Sequence, residues 1–124
     1  MKPKAFMTVG LCALAVALAQ VGLRPAAAHA THRAMQVTTI SVTTRNSDFR
    51  LSASSAPRGV VIFKIHNTAM YHHDFSINGR TSKVLTTGQS TTLRVNFLRK
   101  GRYPWKCALL HHAGWGEKGI FTIY

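Results

Sequence analysis

Cys107, His111, His112 and Glu117 fall within eleven residues of the segment GRYPWKCALLHHAGWGEKGIFTIY, residues 101–124. A thiol, imidazoles and a carboxylate so closely spaced are donor types that bind a transition metal, and the lone thiol favours a soft, thiolate-preferring ion such as copper. The plainer reading makes Cys107 a small buried hydrophobe with exposed histidines beside it. A hydrolase has less support: the chain contains no Gly-x-Ser-x-Gly elbow, and the histidines share one tight loop with the thiol.

The elements that would position these side chains are strands. Tyr103, Trp105 and Cys107 alternate with Arg102, Pro104 and Lys106, the period of a half-buried strand, so the Cys107 sulfur points inward at a strand end. Gly119 then leads into a second apolar strand, Ile120 to Tyr124. Upstream, His73, Phe75 and Ile77 share the inward face while Asp74 and Ser76 take the other, which leaves His72 pointing away. Val37–Thr44, the pair Phe49 and Leu51, the set Val61, Phe63 and Ile65, and the set Thr91, Leu93, Val95 and Phe97 read as further strands. Turns are expected at Asn46–Asp48, at Pro57–Gly59 and at Asn78-Gly79, the last a strong hairpin signal. No segment beyond the N-terminal apolar run has helical periodicity. The pattern predicts an all-β sandwich.

Taken together, Gly101, Tyr103, Cys107, His112 and Gly119, with His73 inside HNTAMYHHDFSI, resemble the copper-binding segments of the cupredoxins, the plastocyanin and azurin-like small blue copper proteins. The match runs in order from Val60 to Tyr124. The resemblance implies a Greek-key β-sandwich holding one mononuclear copper through His73, Cys107 and His112. In the family the axial Met usually lies five residues after the loop His, and here that position is Glu117. A competing register pairs His111 with Trp115 and leaves no axial ligand. A carboxylate there would also admit zinc as a rival occupant. Met70, His72 and His111 could form a second, weaker copper site, and Trp115 could be a partly exposed rim over the metal or pack beneath the loop. With no open coordination position for a small-molecule substrate, the implied role is electron transfer rather than catalysis. Two alternatives are a copper carrier or buffer and a metal-free interaction domain.

Residues 1–30 have the layout of a secretory signal peptide: Lys2 and Lys4, an apolar run from Phe6 to Leu18, and a small-residue ending at Ala28-His29-Ala30. Its removal would leave one domain, residues 31–124, in the periplasm or outside the cell. The run is shorter than the ~20 residues that span a bilayer. Cys12 would leave with the signal, and a lone exported Cys107 could form no internal disulfide, a liability that ligation to a metal removes. Three of the sixteen Lys and Arg also leave, so thirteen face three acids, a formal charge of +10. Such a surface favours an acidic redox protein or an anionic membrane surface. Nucleic acid is disfavoured because the basic residues are scattered singly rather than in a stripe.

Overall fold

The structure is a computed structural model that describes Met1 and residues 34–124. Apart from Met1, the segment expected to be a removed leader therefore lies outside the described residues, as does His32. Among the described residues nine strands form two sheets. The first sheet contains β1 (Val37–Thr44), β2 (Phe49–Leu51), β4 (Gly59–Asn67) and β7 (Ser90–Phe97) in the order β2-β1-β4-β7. The second contains β3 (Ser55–Ala56), β5 (Ser76–Ile77), β6 (Arg80–Thr81), β8 (Gly101–Lys106) and β9 (Lys118–Ile123) in the order β3-β9-β8-β5-β6. Pairs β1–β4 and β3–β9 are parallel and the rest antiparallel. The architecture is the all-β sandwich that the alternation predicts, in the Greek-key arrangement that the resemblance implies.

Alternation builds the core because every second side chain of a strand faces the opposite sheet. Ile40 and Val42, then Val61, Phe63 and Ile65, then Leu93, Val95 and Phe97 point in from the first sheet; Ile77, Trp105, Phe121 and Ile123 meet them from the second. Phe63 sits at the centre, its ring centroid 5.1 Å from that of Phe75 and 5.4 Å from that of Phe121. Burying each of these aromatic rings contributes roughly 1.5–3 kcal/mol.

Turn chemistry agrees with the backbone at Asn78-Gly79, where φ is 50° and 69°. Both are left-handed, as a two-residue hairpin of the primed type requires, and β5 and β6 pair across it. Three details depart from the sequence expectation. β9 starts at Lys118 rather than Ile120, because Lys118 and Gly119 pair with Lys106 and Trp105. The loop after Cys107 contains a 3₁₀ turn, His112–Trp115. His73 lies outside β5 and is held by a lone antiparallel bridge to Leu85.

Candidate metal centre

β8 delivers Cys107 immediately after its last residue, and the Cys107 N–H donates to the Glu117 carbonyl at 2.9 Å. That bond closes the base of the loop, so residues 108–116 are an excursion between two paired strand ends. His111 takes a left-handed backbone, φ 69°, and opens the 3₁₀ turn that swings His112 back toward the thiol. His112 Nδ1 lies 3.6 Å from Cys107 Sγ.

His73 arrives from the other side. Its N–H and carbonyl pair with Leu85 at 3.1 and 2.7 Å, which fixes the backbone. The incoming loop is tied by Asn67, buried at the end of β4. Asn67 Nδ2 donates to the carbonyls of Tyr71 and Leu85, and its Oδ1 accepts from Thr44 Oγ1 and Ala69 N–H. The Phe49 ring stands edge-on to the imidazole, centroids 5.4 Å apart.

Glu117 joins the two halves. Its Oε2 is 3.1 Å from His73 Nδ1 and 3.2 Å from His112 Nδ1. One ligand atom from each of His73, Cys107, His112 and Glu117 falls within 4.8 Å of every other. His73, Cys107 and Glu117 are buried and the His112 side chain is 15% exposed, so the cluster reaches solvent through His112. Among the described residues, His73 Nε2 and Glu117 Oε1 are buried without a hydrogen-bond partner. A sealed carboxylate with free acceptor capacity is costly in a protein interior unless a cation or donor completes it. Two imidazole nitrogens, a thiol and that carboxylate are a donor set that a single metal ion fits.

Electrostatics point the same way. Burial outweighs the attraction of Glu117 and lowers the His73 pKa, which keeps the imidazole neutral with a lone pair to donate. Burial likewise pushes the Cys107 thiol up to about 12, against the opposing effect of N–H donation from Asp74 and Leu109. At neutral pH that thiol stays protonated until a cation replaces the proton.

Strand parity placed Asp74 outward, and the structure corrects this. Asp74 is buried, and its Oδ1 accepts from the Ala108 N–H at 2.6 Å, tying the His73 segment to the residue after Cys107. The signal available in the sequence was scarcity: Asp74 is one of three acids and follows directly on a candidate ligand. Trp115 is 59% exposed and stacks on His112, with centroids 5.1 Å apart and ring planes 26° apart. It is a rim, not packing beneath the loop. His66, His72 and His111 are exposed, and none joins the cluster; His66 Nδ1 instead meets Ser90 Oγ at 2.7 Å.

Solved structures resemble this fold at low identity. Reduced auracyanin from the photosynthetic bacterium Roseiflexus castenholzii superposes with a TM-score of 0.61 at 17% identity, over 70% of this chain and 97% of that one. Auracyanin A, described as a "blue" copper protein from Chloroflexus aurantiacus, gives 0.59 at 10% identity over 72% of this chain and 100% of that one. A copper-containing nitrite reductase from Thermus scotoductus gives 0.57 at 14% identity over 71% of this chain but 28% of that one. No curated protein sequence matches the chain. The family model for the cupredoxin-like domain matches residues 10–116, and by that match, with the sandwich behind it, the chain belongs to the cupredoxin-like domain family.

Proposed function

We propose that the chain is an exported protein that holds one copper ion through His73, Cys107 and His112, with Glu117 as a fourth ligand in place of the family's thioether, and passes single electrons between redox partners. The observation that carries this reading is the buried His73–Cys107–His112–Glu117 cluster, its ligand atoms within 4.8 Å of one another. When bound, copper supplies a one-electron couple that nitrogen and sulfur donors tolerate in both oxidation states. The protein's part is rigidity. The Asn67 ties, the His73–Leu85 bridge and the Asp74–Ala108 bond hold the donors before and after transfer, so little has to move. Four side chains leave no open position for a substrate, which supports a carrier over an enzyme. His112, stacked on Trp115 at the exposed end, is the point where an electron would enter or leave.

The leader-like residues 1–30 support a periplasmic or extracellular location. Charge supports an acidic partner, because Asp74 and Glu117 are buried and Asp48 is the one acid left on the described surface.

Titrating Cu(II) into the purified protein tests the reading. It expects an intense visible thiolate-to-copper band, absent in Cys107→Ser, and reversible one-electron reduction with the metal retained. A folded protein that shows no band overturns the assignment, and release of the reduced ion to a competing chelator would make the chain a copper carrier instead.

A further inference from the structure

The outer face of the second sheet has an open hollow of about 730 Å³. Its lining includes the exposed cross-strand pair Pro104 and Ile120, the Asn78-Gly79 turn, and Lys106 and Lys118. The two lysines are direct cross-strand partners on β8 and β9, and both are exposed. Like charges opposed in this way destabilise a sheet, whereas an opposite-charge pair stabilises it. Neither lysine has a salt-bridge partner among the described residues; the one surface acid, Asp48, lies beside Arg50. The hollow is therefore an apolar seat with two uncompensated cations at its edge. Each lysine is also the chain neighbour of a candidate metal ligand, Lys106 of Cys107 and Lys118 of Glu117.

We propose that this hollow is where an acidic segment of a partner protein docks, one apolar side chain on Pro104 and Ile120 and flanking carboxylates on Lys106 and Lys118. The proposal deepens the electron-transfer reading and rests on it for the partner's purpose. Charge complementarity selects the occupant: carboxylates satisfy the opposed lysines and relieve their mutual repulsion, which a neutral peptide would leave in place. A partner seated here reaches Cys107 through one residue of backbone, a second approach besides the His112–Trp115 end.

The test is an amide NMR titration of the full chain, metal-free and reduced, with the peptide Ac-Asp-Glu-Leu-Glu-Asp-NH2, and separately with vesicles containing phosphatidylserine. Peptide shifts should concentrate at residues 77–79, 104–106 and 118–120. Lys106→Gln/Lys118→Gln should weaken binding about ten-fold, as loss of two ion pairs implies. Lys64→Gln/Arg94→Gln, which removes the same charge from exposed positions on the other sheet, should change it less than about two-fold. Equal losses in the two double variants, shifts spread over all basic residues, or response to vesicles without response to peptide would each overturn the proposal. Because the readout needs no copper, its failure and failure of the copper reading are separate results.

Discussion

Glu117 Oε2 stands 3.1 Å from His73 Nδ1, a contact between segments 44 residues apart made in the closed interior of the sandwich. The same oxygen is 3.2 Å from His112 Nδ1, so one carboxylate spans both imidazoles. A surface loop residue would have no reason to be there. This position is the one that the proposed fourth ligand requires.

Replacing Glu117 by Met is therefore expected to raise the reduction potential of the copper-loaded protein. A carboxylate is a hard anionic donor and favours Cu(II), whereas a thioether favours Cu(I). The visible band should also change its position or intensity. Identical potential and spectrum in Glu117→Met would show that the side chain does not reach the ion.

Metal-free protein should be least stable at both pH extremes, for two named reasons. Cys107 is raised from 9.0 to about 12 in the fold, so its contribution is full below pH 9 and is lost as pH climbs toward 12. That loss has an upper bound of roughly 4 kcal/mol. His73 is lowered from 6.5, so its contribution is full above pH 6.5 and declines as pH falls below that value. Denaturant midpoints against pH should show the alkaline loss flattened in Cys107→Ala and in metal-loaded protein, where the thiolate is already formed. An unchanged alkaline limb in Cys107→Ala would show that the buried thiol is not its cause.

The strands were legible wherever alternation ran for six residues or more, as in β1, β4, β7 and β8. Two-residue strands such as β3 and β6 carry no period to read, and only their partners reveal them. The same limit explains Asp74. Parity was extrapolated from Phe75 and Ile77 back through residues joined to the sheet by one bridge, where the backbone is free to turn a side chain inward. Cys107, His111, His112 and Glu117 were legible as clustered donors because one short loop carries them, while the preference for His112 over His111 came from the family resemblance. The four-residue 3₁₀ turn that aims His112 was not legible, since one turn of helix leaves no repeat.

Gly119 faces Trp105 across β8 and β9, and a Cβ on it would overlap the indole ring. Gly119→Ala must displace Trp105, which stacks on Phe49 with centroids 5.7 Å apart, and Phe49 in turn braces His73. The expected cost is about 1–3 kcal/mol in denaturant unfolding, the range for overpacking a filled core. A smaller adjustment should appear in the metal spectrum through Phe49. Wild-type stability in Gly119→Ala would mean that the indole has room to move.

Salt should act in opposite directions on two electron-transfer rates of the copper-loaded protein. Of sixteen Lys and Arg, four precede residue 34, so twelve stand on the described domain against one acid that is not buried, the half-exposed Asp48. Two such molecules repel. Self-exchange should therefore accelerate as added salt shortens the screening length from about 30 Å at 0.01 M to about 8 Å at 0.15 M. Reaction with an acidic redox protein should slow over the same interval, because the attraction that steers the encounter is screened. Measuring both rates on one sample removes any common effect of salt on the site itself. A partner rate that stays flat across that interval would leave the basic surface without a role in steering, and a self-exchange rate that also falls would show that salt is perturbing the metal centre.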